Sequence, residues 1–348
     1  MKKNIALVVF LMLGALSFHE SHAQFKFSNL FGSKDQPKKR KTFEAFSSVS
    51  IGVGSSHYYG ELSPYNRFLQ STMNGARWNA SFNFTRQLSP QFGLRFGLTW
   101  ARIFGDDNYM EGVAGYEANF MRNLHFRNDI KEFSIVGQYD FVRTAKGSPR
   151  RAAVVPYIFG GVAVFAHDPV AKPDRTLFPD QSEWVRLQPL HTEGQGLPGY
   201  AQPYSLISVS APIGIGVRYK LNQNFDLGLE VGYRFTMTDY LDDVGGNYAD
   251  PADLGTQSAL SVAMANRTLE RTAAYSGKDR TTGVIDYLTA IGVYTPGSGV
   301  DPFTYASVPG FSDRTDARGN SKYKDSYMLT SIKLIYYIPT KIKCPPLR

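Results

Sequence analysis

The stretch "FDLGLEVGYRFTMTDYLDD", residues 225–243, changes chemistry at every second residue until Met237 and then stops. Its odd positions are Phe225, Leu227, Leu229, Val231, Tyr233, Phe235 and Met237; the even ones are Asp226, Gly228, Glu230, Gly232, Arg234, Thr236 and Thr238. A period of two is a β-strand. A soluble sheet buries the odd set, whereas an outer-membrane barrel turns it to lipid and the even set inward.

The alternation recurs. Val49, Ile51 and Val53 oppose Ser48, Ser50, Gly52 and Gly54 near 44–55, and Trp78, Ala80, Phe82 and Phe84 oppose Arg77, Asn79, Ser81 and Asn83 near 76–86. Leu94, Phe96, Leu98 and Trp100 oppose Arg95 and Thr99; Phe133, Ile135 and Tyr139 oppose Ser134, Gln138 and Asp140. Ile213, Ile215 and Val217 oppose Gly214, Gly216 and Arg218, and Ile332, Leu334 and Tyr336 oppose Ser331 and Lys333. With "VVPYIFGGVAVFA" (154–166), apolar on both parities and without an assignable inner face, the count is eight strands.

The links between strands alternate short and long, as outer-membrane barrels require: short periplasmic turns, long outer loops. The short ones are "QLSPQ", "TAKGSPRRA" and "LNQN"; the long ones cover about 56–75, 105–130, 167–204 and 240–325. "DPADLGTQSALSVAMANRTLE" in the last loop, with Asp250 and Pro251, is expected to start a short helix. Glycine on the even face suits a crowded barrel interior, and solvent-facing glycine would only weaken a strand. Phe84, Phe92, Phe141, Tyr219, Phe225 and Tyr336 fall near the periplasmic rim, and Trp78, Trp100, Phe133 and Phe235 near the outer rim, as two aromatic girdles. Arg234 or Arg95 at the lipid midplane would cost ~2–4 kcal/mol each, so the odd face of 225–237 meets lipid.

The expected fold is all-β: an eight-stranded antiparallel transmembrane barrel spanning 44–340, loops included. Residues 1–23 have a basic start, an apolar run and Ser21 and Ala23 ahead of Gln24, the pattern of a signal peptide too short for a membrane helix. A basic polar tail, 24–43, and a short tail, 341–348, would both face the periplasm. The net charge is +8, with its densest run "KDQPKKRK" in the first tail. A solvated tail, or one docking an acidic partner or lipid headgroups, fits better than a nucleic-acid site in a secreted chain. Cys344 is the single cysteine, so no intramolecular disulfide forms and it receives no role.

Arg77, Arg95, Asp140, Arg218, Asp226, Glu230, Arg234 and Lys333 are expected to form a charge-paired lumen filling, since unpaired buried charge is costly. The alternative is a narrow pore. Asp239, Asp242 and Asp243, with Asp250 and Asp253, offer carboxylates for calcium but lack the EF-hand spacing. His57, His125, His167 and His191 lie in or beside outer loops, and no spacing couples one to a nucleophile.

"GYRFTMTDYLDDV" (232–244), "YYGEL" (58–62) and "PYIFGGVAVFAHDP" (156–169) resemble PorG and its relatives, small outer-membrane barrels of Bacteroidota associated with the type IX secretion system. The resemblance covers the barrel, more than half of the chain beyond residue 23, and weakens over 245–325; Gly245 stands where the family has serine. It implies a non-enzymatic component in the cell outer membrane, without cofactor or metal, linking the membrane to a periplasmic ring of a PorK-like lipoprotein and a PorN-like protein. Within the motif, Thr238, Asp239, Tyr240, Leu241, Asp242 and Asp243 would fix the exit of the strand into its loop. The rival reading is a surface adhesin or ligand-binding barrel acting through its long loops, with an outer-membrane enzyme third.

Overall fold

In the computed structural model, the described residues are 43–63, 68–144, 148–304, 310, 313–320 and 322–339. The signal segment 1–23, nearly all of the basic tail, the tail 341–348 and Cys344 lie outside them.

Eight long strands form one antiparallel meander: β1 Phe46–Tyr59, β2 Arg77–Gln87, β3 Phe92–Asp106, β4 His125–Asp140, β5 Val154–Ala166, β6 Ile207–Lys220, β7 Phe225–Thr236 and β8 Ser326–Ile338. Each pairs with its neighbours in sequence, and β1 also pairs with β8, which closes the cylinder. Two two-residue pieces, Val170–Ala171 and Val185–Arg186, extend the outer end of β4.

The register fixes the cylinder's dimensions. Stepping across paired residues from Ser47 leads through Arg86, Leu94, Gly137, Gly160, Ile213, Tyr233 and Met328 to His57, a displacement of ten residues along β1. With a rise of ~3.3 Å and a strand spacing of ~4.8 Å, eight strands staggered this way tilt by about 41° and lie about 8 Å from the axis. At that radius side chains fill the interior.

Polarity is inverted relative to a soluble barrel. Ile51 is 61% exposed and Ile215 is 64% exposed, and Leu98, Phe133, Leu229 and Ile332 face out beside them. Asn83, Arg95, Glu132, Asp140, Arg218, Asp226, Glu230 and Lys333 are buried within. An apolar outer wall around a charged interior is the arrangement of a barrel whose wall meets lipid. No helix among the described residues is long and apolar enough to cross a membrane, which says nothing about strands.

β5, apolar on both parities, now has an inner face. Val155, Tyr157, Phe159, Ala163 and Phe165 point inward and Ile158, Val162 and Val164 outward. The inward rings fit because glycine stands opposite them: Tyr157 pairs with Gly216 and Phe159 with Gly214. A Cβ on Gly216 would come within 2.3 Å of the Tyr157 ring, and one on Gly214 within 2.4 Å of the Phe159 ring.

Several strands run past their expected ends. β1 continues to Tyr59, β3 to Asp106, and β4 starts at His125. In the extensions of β3 and β4 the two faces exchange character. On β3 and β4, Arg102, Arg127, Asp129 and Lys131 point outward, while Ala101, Ile103, Phe126 and Ile130 are buried inside. Above Trp100 the hairpin therefore turns a polar face outward, and the reversal marks the outer edge of the hydrocarbon layer.

The long connections build a cap on these extensions. It contains the helices α1 Phe68–Asn74, α2 Glu117–Arg122, α3 Pro251–Gly255, α4 Ala259–Ala265 and α5 Thr281–Ala290. Asp250 caps α3 by accepting from the Ala252 N–H, and Ser258 caps α4 by accepting from the Ser261 N–H. Met110, Phe120, Met121, Tyr248, Val284, Leu288 and Tyr294 form a core of the cap's own.

Candidate functional site

The lumen is divided into tiers, each centred on a carboxylate. Near the end with the short turns Asp226 accepts from Arg151 Nη2 at 2.6 Å and from the Tyr337 hydroxyl at 2.8 Å. Asp140 accepts from Arg218 Nη2 at 2.5 Å, Gln138 at 2.8 Å and Gln87 at 3.3 Å. At mid-barrel Glu230 takes Arg95 Nη1 at 2.6 Å, Lys333 Nζ at 2.6 Å and the Tyr157 hydroxyl at 2.9 Å. Higher still, Glu132 accepts from the Tyr327 hydroxyl at 2.6 Å, with Arg234 Nε at 3.4 Å.

Seven of the eight lumen residues read from the sequence, Arg95, Asp140, Arg218, Asp226, Glu230, Arg234 and Lys333, are placed in these tiers. Arg77 is not. It has the inward parity but sits at the outer end of β2, its guanidinium 4.0 Å over the Phe104 ring, beyond the level at which the faces exchange character. Glu132 and Arg151 were not singled out from the sequence. Glu132 has the inward parity of β4 one residue beyond the stretch read as a strand, whereas Arg151 reaches in from a turn and carries no periodic signal.

The tiers leave little space. A cavity of about 10 Å³ lies between Asn83, Arg95, Phe159, Glu230, Arg234 and Lys333, room for about one water. Below it, Phe46, Ile335 and Tyr337 pack together inside the mouth on the short-turn side.

The outer mouth is closed by the motif at the end of β7. Leu241 is fully buried among Tyr58, Leu62, Phe126, Phe165, Tyr327 and Leu329. Its N–H donates to Asp325 Oδ2 at 2.8 Å, and its carbonyl accepts from Asn128 Nδ2 of β4 at 2.7 Å, so the segment crosses the opening. Thr238 accepts from the Tyr240 N–H at 3.2 Å, and Tyr240 stacks on Tyr204 with centroids 4.6 Å apart. Asp243, in the left-handed region at φ 70°, accepts from Thr192 Oγ1 at 2.5 Å and from the Tyr204 hydroxyl at 2.7 Å. Arg318 holds the same turn from above, donating to the Asp243 carbonyl at 2.5 Å and to Glu193 at 3.2 Å.

The acidic residues of the motif do not form one cluster. Asp242 faces Asp325 and Glu61, and ligand oxygens of these three lie within 4.8 Å of one another, the arrangement that could hold a cation. Asp239 pairs with Lys324 at 3.7 Å, Asp250 caps α3, and Asp253 accepts from the Tyr200 hydroxyl at 2.6 Å. The five-aspartate calcium site considered from the sequence is thus split among separate environments.

The Tyr58 hydroxyl lies 2.7 Å from both Asp242 Oδ2 and Asp325 Oδ1. A phenol has one hydrogen to give, so one of the carboxyls carries its own proton. Burial, with repulsion from Glu61, pushes Asp242 well above the usual carboxylate range; burial, with repulsion from Asp242 and Glu61, does the same to Asp325. Glu61 is pushed up to about 7 by burial and then by Asp239, and burial raises Asp243 to about 6 against the pull of Arg318.

Each of the four histidines among the described residues contacts a second segment of the chain. His57 lies between Ser55 Oγ at 2.9 Å and the Thr72 carbonyl at 2.8 Å, His125 Nε2 accepts from the Lys172 N–H at 3.0 Å, and His167 contacts the Ser205 carbonyl at 3.1 Å. His191 Nδ1 is 3.5 Å from Gln257.

Residues 40–183 match a family described as a domain of unknown function, DUF6089. No curated protein matches the chain. Among solved structures, the neisserial surface protein NspA is similar at 9% identity and a TM-score of 0.34, covering 84% of this chain and 98% of its own. The attachment invasion locus protein Ail of Yersinia pestis, in complex with a heparin analogue, is 10% identical with a TM-score of 0.33, covering 85% and 100%. OprG, an outer-membrane protein of Pseudomonas aeruginosa, is 8% identical with a TM-score of 0.31, covering 86% and 99%. The barrel rests on its register and inverted polarity, independently of these likenesses.

Proposed function

We propose that the chain is integral to the cell outer membrane and is a non-enzymatic component of the type IX protein secretion system, linking the membrane to a periplasmic ring of PorK-like lipoprotein and PorN-like protein. One observation carries this reading. The three stretches that resemble the PorG family, far apart in sequence, meet at the outer mouth: Tyr58 and Leu62 from the first, Phe165 from the second and Leu241 and Val244 from the third share one buried cluster. A filled lumen also favours an anchor over a channel, because the charges that would line a pore are engaged with one another.

The test is capture of the full chain from cells with a tag at the exposed Gly297–Gly299 turn, where added atoms meet nothing. Recovery of a ring-forming lipoprotein and its partner, and loss of cargo secretion on deletion, are expected. A clean barrel from cells shown to contain the ring, with secretion intact after deletion, would remove the proposal.

The cap favours one other reading, a surface adhesin or ligand-binding barrel. Buried arginines tie its segments together: Arg280 donates to the carbonyls of Phe120 at 2.7 Å and Met121 at 3.0 Å, and Arg122 pairs with Asp107 through two 2.8 Å bonds. Under that reading, deletion abolishes surface binding and leaves secretion unchanged.

A further inference from the structure

α1 lies against the outer wall of the barrel. His57 and Tyr59, on the outward parity of β1 with Ile51 and Val53, are covered by it. The Thr72 carbonyl meets His57 Nδ1 at 2.8 Å, Thr72 Oγ1 meets the Tyr59 hydroxyl at 2.7 Å, and Phe68 stacks flat on Tyr59 at 5.0 Å. Tyr59 in turn stacks on Tyr233, which contacts Phe235 at 4.7 Å. The helix thus continues an aromatic row that begins on the lipid-facing side of β7.

The two sides of α1 differ. Gln70, Ser71 and Asn74 line a crevice with Leu62, Phe104 and Met110 and so face the cap. Leu69 and Met73, one turn apart, point away from that side and are 78% and 77% exposed. A polar flank toward the cap and an apolar flank away from it reverse what a helix bathed in water would show.

Height decides the occupant. Ser55 of β1 pairs with Trp78, and Trp78 touches Trp100 at 5.1 Å, the level at which the inner and outer faces exchange character. His57 and Tyr59 lie two and four residues beyond Ser55, about 5 and 10 Å further out along a strand tilted by ~41°. Headgroups occupy roughly the first 5–8 Å beyond the hydrocarbon, and an interfacial helix lies at that level with its apolar face turned toward the acyl chains.

We propose that α1 is an interfacial anchor whose Leu69–Met73 flank inserts into the outer leaflet, so that the lipid contact of this barrel extends beyond its strands onto the first outer loop. The inference rests on the membrane-spanning reading of the barrel and is independent of any secretion role.

The test uses the full chain with Cys344 replaced by serine, refolded into dioleoylphosphatidylcholine vesicles doped with phosphatidylcholine brominated at shallow or deep acyl positions. Single-cysteine variants L69C, M73C, I51C and L177C carry an environment-sensitive fluorophore. The expected result is blue-shifted emission at 69 and 73, with intensity lost most to the shallow bromines; position 51 loses most to the deep ones, and 177, on the cap, keeps water-like emission. Quenching at 51 with water-like emission at both 69 and 73 overturns the inference and leaves the barrel in the membrane. Absence of quenching at 51 overturns the membrane-spanning reading itself. Probes at 69 and 73 report independently, so if one variant misfolds the other still decides the question. In native membranes, photo-crosslinking from position 69 to a protein in place of lipid would also overturn it.

Discussion

Replacing Glu230 by glutamine tests the central tier directly. One carboxylate there serves two cations, Arg95 Nη1 and Lys333 Nζ, each at 2.6 Å, and also receives the Tyr157 hydroxyl. Glutamine keeps the shape and one acceptor oxygen but presents an amide N–H₂ to donors and leaves two buried positive charges without a counter-charge. Removing one partner of a buried pair costs ~3–5 kcal/mol, and with two cations stranded E230Q is expected near the top, about 5 kcal/mol. The double variant E230Q/K333Q removes one stranded charge and should recover ~2 kcal/mol, a coupling within the range for residues in one network. Urea unfolding of the refolded barrel in vesicles, followed by its heat-modifiable gel mobility, measures both. A loss below ~1 kcal/mol for E230Q, the scale of an exposed ion pair, would mean the lumen is solvated and would refute the tiered filling.

Three further outcomes are expected. G216V drives a side chain into the Tyr157 ring and should cost ~1–3 kcal/mol by the same unfolding assay, with Y157A in the same chain relieving part of it; equal losses with and without Y157A would remove the steric account. Because the folded cap raises Glu61 from 4.5 to about 7, the proton it holds stabilises the cap fully below pH 4.5, and that contribution fades as pH rises through about 7; Asp242 and Asp325 extend the loss further upward. Hydrogen exchange at the Leu241 amide, corrected for the intrinsic pH dependence of exchange, should accordingly show less protection at alkaline than at acidic pH in the wild type and a flattened profile in D325N; a difference in protection that D325N leaves unchanged would contradict this. In planar bilayers the intact chain should show no unitary conductance, and neither should a chain trimmed of residues 256–300, since the tiers lie below the cap; regular current steps from either would favour a pore.

Much of the fold was legible because two constraints act on every strand. Lipid demands apolar side chains on one parity, and backbone pairing demands a neighbour on each side, so alternation and loop length together specify a closed meander. Legibility failed where lipid stopped acting. Residues 101–106 and 125–131 exchange the character of their faces above the membrane edge, so a search for one sign of alternation ends the strands early, and on β4 it stops one residue short of Glu132. It failed again at β5, whose lumen face carries Tyr157 and Phe159; aromatic residues inside are readable only with the glycines of β6 that receive them, and that pairing is a matter of register. Arg151 enters from a turn, and the meeting of Glu61, Asp242 and Asp325 joins residues far apart in the chain, so neither has a local spacing to detect.

The ten-residue displacement around the cylinder has a mechanical consequence. Strand number and stagger together set the radius, and neither changes without breaking a whole ladder of backbone hydrogen bonds. The wall is therefore a peg of fixed bore that neither dilates nor irises. Any message passing between the two ends of this molecule travels as movement of the whole peg, tilt, rotation or lateral pull, or as rearrangement of what is mounted on those ends.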